Sequence, residues 1–146
     1  MMVGPELVII LLVVVLATVI FVRNLQTTKW VNVRIGKAVV RAEVADNVAK
    51  QIKGLMFRKG LEENEGMLFE FGKEGYHNIW MINMSFSIDI IWINDGKVVD
   101  IKKDAQPCRI VCPSYSPKSP AKYVLEVNAN FTEKNSIKIG TEAELH

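Results

Sequence analysis

An unbroken apolar segment near the N-terminus constrains this 146-residue chain more than any other feature. Residues 7–22 contain a single polar side chain, Thr18. As a helix the segment would be about 24 Å long, slightly shorter than the roughly 30 Å hydrocarbon core of a bilayer. A lone strand in lipid would leave its backbone groups unpaired, which favours the helix. We therefore predict an N-terminal transmembrane anchor over residues 1–24.

A cleaved signal peptide is the alternative interpretation of this segment. Such peptides begin with a basic region and end at a cleavage site of small residues. Neither feature is visible here, since Arg-Asn-Leu-Gln-Thr-Thr-Lys follows Val22. The sequence therefore favours an anchor that is retained.

Two signals disagree about the side of the membrane on which the rest of the chain lies. Basic residues after the segment favour the cytoplasm under the positive-inside rule, although long domains often cross regardless of flanking charge. Cys108 and Cys112 are close enough in sequence to form a local disulfide, which fits an exported domain. We expect a joined pair and an extracytoplasmic domain. The basic residues are Arg23, Lys29, Arg34, Lys37 and Arg41.

The remainder of the chain is predicted to be mainly β, with a linker and first strand over residues 25–37 and a β-rich domain over residues 38–146. Alternating apolar and polar residues recur in short segments, with room for one or two short helices. Such a chain forms a single small sandwich-like domain or a partly closed barrel. Residues 88–94 have apolar side chains at both odd and even positions, as in a strand that is covered on both faces. Asp95-Gly96 then suits a tight hairpin turn.

Two further local predictions concern the middle of the chain. Asp46 is expected to cap a short helix whose apolar stripe is Val48, Ile52 and Leu55. Residues 76–83 are expected to form a strand with His77 and Met81 on one face. These two side chains would then lie about 13 Å apart, too far to bind one metal ion. No metal, other cofactor or catalytic residue is assigned.

The order and spacing of several motifs resemble an uncharacterised prokaryotic family, domain of unknown function 192. The resemblance covers about residues 39–145 and implies a mainly β, sandwich-like domain without an established activity. Family members often carry an N-terminal signal or anchor, which implies export. The chain departs at Ile82 and Ile88, where the family often has Lys and Pro. The motifs are GLMFR at 54–58, GMLF at 66–69, WMINM at 80–84, IDI at 88–90, PSYSP at 113–117 and YVLEVN at 123–128.

Two charged residues admit both structural and functional interpretations. Asp89 lies in an apolar strand, so it either accepts hydrogen bonds from the backbone of residues 85–87 or serves as a ligand anchor or acid–base group. Arg58 either pairs with a nearby glutamate or binds a carboxylate or phosphate. The candidate glutamates are Glu62, Glu63 and Glu65.

The favoured function is a membrane-anchored binding or accessory module for a small polar ligand or peptide at the cell surface. Its predicted ligand-binding residues are Arg58, Trp80, Met81, Asn83 and Asp89. One alternative is a hydrolase that uses Asp89 with His77 or Asp104, and another is a structural partner in an envelope complex. The net charge of +2 comes from intermixed signs, so no nucleic-acid partner is expected.

Overall fold

The computed structural model describes residues 5–25 and 28–146 of the chain. Residues 1–4 of the predicted anchor and residues 26–27 of the predicted linker lie outside this part. The apolar segment forms helix α1, Pro5–Leu25. Across the described residues, no helix is both long enough and apolar enough to cross a membrane. The transmembrane anchor therefore stays a prediction.

After α1 the described chain consists of short strands and two short helices. The first strand, β1, lies within the predicted residues 25–37. The elements are β1 Trp30–Ile35, β2 Ala38–Ala45, α2 Val48–Lys53, β3 Glu65–Gly75, β4 Ile79–Trp80, β5 Ile88–Asn94, β6 Lys97–Ala105, β7 Ser114–Tyr115, β8 Ala121–Asn128, α3 Phe131–Lys134 and β9 Ala143–Leu145.

Seven of these strands form one sheet in the order β6-β5-β8-β3-β2-β1-β9, and β4 pairs with β7 separately. Neighbouring strands of the large sheet are antiparallel except for the parallel pair β2 and β3. The sheet curls until its two edges meet at one end. There the Val98 N–H donates to the Thr141 carbonyl, and the Gly140 N–H donates to the Val98 carbonyl. The prediction of a mainly β domain is confirmed, and its form is a partly closed barrel.

The central strands are covered on both faces, as the sequence of β5 predicts. One hydrophobic cluster fills the concave side of the sheet, where Phe131 and Ile137 near α3 pack on the strands. A second cluster covers the other face, with Leu55, Met81 and Met84 packed over β3, β5 and β8. The predicted hairpin turn is also present, since Asp95 and Gly96 both have positive φ.

Two local predictions are wrong. Residues 76–83 do not form one strand, because β4 has only two residues, which pair with β7, and Ile82 forms an isolated bridge with Cys108. Asn47, not Asp46, caps α2 by accepting a hydrogen bond from the Lys50 N–H. The apolar stripe of α2 does not enter the core either, since Val48 and Ile52 are exposed and only Leu55 is buried. This exposed stripe forms part of the candidate site.

Candidate functional site: an apolar groove over a buried glutamate

A groove of about 300 Å³ lies between α2 and the segment of residues 78–84. Val48, Ile52 and the turn after α2 form one wall, and Ile79, Trp80 and Met81 form part of the other. Phe69 and Phe71 of β3 and Glu126 of β8 lie beneath them on the sheet. Because most of these side chains are apolar, the groove suits the apolar part of a ligand.

Gly54 shapes the turn that joins α2 to the wall of the groove. Its φ of +46° lies in the region that side chains other than Gly adopt with strain. A Cβ atom at this position would lie 3.3 Å from the Phe69 ring. Gly54 therefore ends α2 and allows the turn to approach the sheet closely.

Glu126 is the unusual group of the groove. Its side chain is on the sheet face that carries the second cluster, in register with Met67 and Ile90 on the neighbouring strands. The residue is only 4% exposed, and no side-chain hydrogen bond within the described chain involves its carboxyl. Every fully buried side-chain oxygen among the described residues has a partner, so the Glu126 oxygens must reach the open space of the groove.

Burial raises the pKa of the Glu126 carboxyl to about 8, and the nearby Arg58 guanidinium opposes part of this rise. A buried carboxylate loses hydration, which disfavours its charged form. Strongly perturbed carboxyl groups in clefts are frequent at functional sites. At Glu126, therefore, three features occur together: a cavity, a carboxyl without a side-chain hydrogen-bond partner, and a raised pKa.

Arg58 does not form the ion pair that the sequence suggests. Its guanidinium donates to the Glu43 carboxylate of β2 at 2.5 Å, instead of pairing with the glutamates of the loop that follows it. Both partners are half-buried, so the pair is shielded from solvent better than a surface ion pair. Arg58 lies outside the residues that line the groove but close enough to act on Glu126.

The three other predicted residues from this region have different positions. Trp80 is 53% exposed at the groove, and Met81 is fully buried behind it. Asn83 is not a lining residue; it occupies a turn with a φ of +56°. Its carbonyl accepts from the Phe57 N–H and its N–H donates to the Cys108 carbonyl. Asn83 thus connects the two walls through its backbone.

Asp89 lies in the core and away from the groove lining. The prediction that its partners are in residues 85–87 is wrong. One carboxylate oxygen accepts from the Asp104 N–H at 3.0 Å, and the other accepts from the N–H and hydroxyl of Thr132 at 2.9 and 2.6 Å. Since both oxygens are occupied and the residue is 1% exposed, this geometry favours the structural interpretation of Asp89.

His77 and Asp104 do not complete a catalytic pair with Asp89 in this arrangement. The His77 ring stacks on Phe71, and its Nε2 atom is 2.9 Å from the Lys73 carbonyl oxygen. Asp104 contacts Asp89 through its backbone N–H, and its own side chain is exposed. Among the described residues, no group of three His, Cys, Asp or Glu side chains could hold a metal ion.

Cys108 and Cys112 form a disulfide with their Cα atoms 5.4 Å apart. The loop that it closes is attached to one wall of the groove. The Cys108 N–H donates to the Met81 carbonyl, and the Cys108 carbonyl accepts from the Asn83 N–H. The disulfide therefore orders a loop that supports residues 81–83.

Replacing both cysteines by serine should destabilise the domain by about 2 kcal/mol, because so short a loop gains little from cross-linking. We expect the larger effect to be local, with faster amide exchange at Asn83, whose N–H bonds to the loop. Urea denaturation and hydrogen exchange would measure the two effects. Arg109→Ala changes the same loop without removing the cross-link, so it should leave both values close to wild type. Unchanged exchange at Asn83 in the double variant would contradict the supporting role.

A model of the uncharacterised proteins DUF192, described as "Uncharacterized ACR", matches residues 31–145. The chain belongs to this family. The DUF192 match begins within β1, so it includes the first strand as well as the region that the motifs cover.

Curated proteins similar to this DUF192 protein carry the name UPF0127. A UPF0127 protein of Pyrococcus furiosus is 33% identical over 116 residues, covering 77% of this chain and 94% of the relative. A UPF0127 protein of Thermococcus sibiricus is 33% identical over 107 residues, covering 71% of this chain and 65% of the relative. The match thus spans less than two thirds of the Thermococcus sibiricus relative.

Two solved structures resemble the DUF192 fold. A protein of unknown function from Novosphingobium aromaticivorans has a TM-score of 0.70 at 33% identity, with coverage of 80% of this chain and 84% of that chain. A Sinorhizobium meliloti protein described as a "putative transcription regulator" has a TM-score of 0.74 at 27% identity, with coverage of 82% and 95%.

Sequence reasoning did not identify Glu126 of the DUF192 domain as a site residue. The signal that singles out Asp89, a carboxylate within an apolar strand, is also present at Glu126 between Leu125 and Val127. The sequence cannot separate the two residues, because their difference is tertiary. Asp89 meets three donors from other segments, whereas Glu126 meets the groove.

Proposed function

We propose that this DUF192 domain is a binding module that takes a small molecule with an apolar body and one polar head group. The observation that carries the proposal is the buried Glu126 carboxyl, which has no side-chain hydrogen-bond partner in the described chain and faces an apolar groove. Because the Glu126 oxygens reach the groove, a ligand bound there can supply the hydrogen bonds that the described chain does not make to them.

The size of the groove supports a small molecule over a macromolecular partner. Its volume of about 300 Å³ lies at the lower end of the range for small-molecule pockets. Trp80 and Phe71 offer aromatic surface on which a flat apolar body can pack. Glu126 would bind the head group, and the side-chain N–H₂ of Gln51 already donates to the Ala45 and Glu70 carbonyls.

We also propose that α1 attaches the domain to a membrane, with the domain outside the cytoplasm. The exposed apolar side chains of residues 8–16 support attachment, and the Cys108–Cys112 disulfide supports an oxidising compartment. Labelling of thiols in intact cells with an impermeant maleimide tests the location. If the thiols of intact cells react after treatment with an impermeant reductant, the proposed location is supported. If they react without reduction, and only after lysis, the proposed location is contradicted.

Truncation of Trp80 tests the groove as the binding site. We expect small aromatic fragments to shift the backbone amide NMR signals of residues 48–56 and 78–84, and Trp80→Ala to weaken their binding about tenfold. That factor corresponds to about 1.4 kcal/mol, as expected for removing an exposed aromatic surface from a pocket.

Ile139→Ala is the matched control, because Ile139 is an exposed apolar residue outside the groove lining. This variant should bind the fragments as tightly as wild type. Fragment-induced shifts spread over the barrel, or equal weakening by both substitutions, would contradict a site in the groove.

A structural role in an envelope complex has one observation in its favour. Ile110 and Val111, at the tip of the disulfide loop, are 92% and 89% exposed. Exposed aliphatic residues on a constrained loop are suited to contact another protein. The hydrolase alternative has no comparable support, because Asp89 is sealed and fully bonded.

A further inference from the structure

We propose that the head group that this groove selects is a primary ammonium, held by the Glu126 carboxylate beneath the apolar walls. This inference rests on the proposed function and specifies the chemical class of its ligand. It follows from the charges around Glu126, from the space available and from the hydrogen bonds that its carboxyl leaves unused.

The charges around Glu126 leave one negative charge to be balanced. Arg58 is the cation close to it, and its guanidinium is already paired with Glu43. Lys53 is the other charged residue that lines the groove, and it is exposed at the end of α2 without a salt bridge in the described chain. The in-register neighbours Met67 and Ile90 are uncharged. An ionised Glu126 therefore has no salt-bridge partner among the described residues, and a cationic ligand can supply one.

A primary ammonium fits this position better than other cations. It is compact and has three donors, so it can reach a carboxylate at the bottom of a narrow groove and bond to both oxygens. A quaternary ammonium has no N–H donor. An anionic ligand would meet a carboxyl group and could bind only while Glu126 keeps its proton.

The preference for a cation has a defined pH dependence. In the free domain the pKa of Glu126 is about 8, so at pH 6 a cation must displace a proton in order to bind. Affinity should therefore rise about tenfold per pH unit up to about pH 8 and then level off, until the amine itself loses its proton near pH 10. Binding of an anion to the protonated carboxyl would show the opposite trend.

His77 is a further titratable group near the groove, because its ring stacks on the lining residue Phe71. Its Nε2 atom lies against the Lys73 carbonyl, so it is not directed at Glu126. His77→Gln should therefore keep the pH profile of ligand binding. Comparison of this variant with wild type shows whether the pH dependence of ligand binding comes from Glu126 or from the histidine.

Three probes of similar shape test the proposal on the full chain. They are 2-phenylethylammonium, the uncharged 2-phenylethanol and the anionic 3-phenylpropanoate, each titrated by calorimetry between pH 6 and pH 9. At pH 8.5 we expect the ammonium to bind at least tenfold more tightly than the alcohol. Glu126→Gln should abolish that preference while retaining binding of the alcohol, and Glu142→Gln, an exposed carboxyl on the barrel, should preserve it.

The outcomes distinguish this inference from the proposed function. If the alcohol or the anion binds as tightly as the ammonium, the groove binds small molecules but the ammonium preference is wrong. If Glu126→Gln keeps the preference, the cation binds elsewhere and the inference is overturned. If none of the three probes binds, the inference is overturned and the groove loses support as a ligand site.

Discussion

Glu126→Gln should stabilise the domain at alkaline pH, by about 4 kcal/mol at pH 9. The pKa of the carboxyl is about 8 in the folded domain and near its ordinary value of about 4.5 when the chain is unfolded. Between these values the folded state holds the proton that the unfolded state has released. The stability that this group contributes is therefore complete below about pH 4.5 and is lost as the pH rises through 8. Each unit of difference corresponds to about 1.4 kcal/mol.

Urea denaturation at pH 5, 7 and 9 would measure this effect. Wild type and Glu126→Gln should have similar free energies of unfolding at pH 5 and diverge as the pH rises, because glutamine remains neutral. Glu142→Gln should follow wild type at every pH, since that carboxyl is exposed. Parallel curves for wild type and Glu126→Gln would show that the carboxyl is ionised without cost, and the picture of a desolvated Glu126 would be wrong.

Asp89→Asn should destabilise the domain by about 3 kcal/mol. The carboxylate accepts three hydrogen bonds from Asp104 and Thr132, and an amide presents an N–H₂ group in place of one oxygen. Two donors would then face each other in the core, where an unsatisfied polar group costs about 1–3 kcal/mol and more when the group is charged. The substitution should therefore loosen both the end of β6 and the start of α3.

Thr132→Val is the control, and thermal scans compare the melting temperatures of the two variants. Valine removes the shortest of the three bonds but keeps the Thr132 backbone N–H, so its cost should be about 1 kcal/mol. The Asp89→Asn variant should melt well below Thr132→Val. An unchanged midpoint in Asp89→Asn would contradict the structural role and revive the functional interpretation of this carboxylate.

The strands could be predicted from the sequence where local pattern and tertiary environment agree. The alternating sequences of β1 and β2 match their burial, and β5, which is apolar on both faces, is buried from Ile88 to Ile93. Asp95-Gly96 has the residues that positive φ requires. The prediction of a strand over residues 76–83 was wrong because a turn, and not the alternation of a strand, buries their apolar side chains. Met81 and Met84 pack in the second cluster, while Trp80 at the end of β4 stays exposed.

The candidate site was only partly predictable, for the same physical reason. Of the five predicted ligand-binding residues, Trp80 and Met81 line the groove, whereas Arg58, Asn83 and Asp89 do not. Their roles depend on partners that are distant in sequence, namely Glu43, Cys108 and Thr132. Single-sequence patterns carry no information about such pairings. The exposed stripe of α2 likewise looks like a core-facing stripe until the groove is known.

The pairing of β1 with β9 has a consequence for the order of folding. Val33 lies opposite Leu145, so the last strand of the sheet joins partners from the beginning of the domain. Pairings between such distant segments require a large loop to close, and they slow folding. The groove, by contrast, uses elements from α2 to β8 and does not include β9. During synthesis the groove region can thus assemble before the barrel closes, and β1 must keep its free edge from pairing with other chains until β9 arrives.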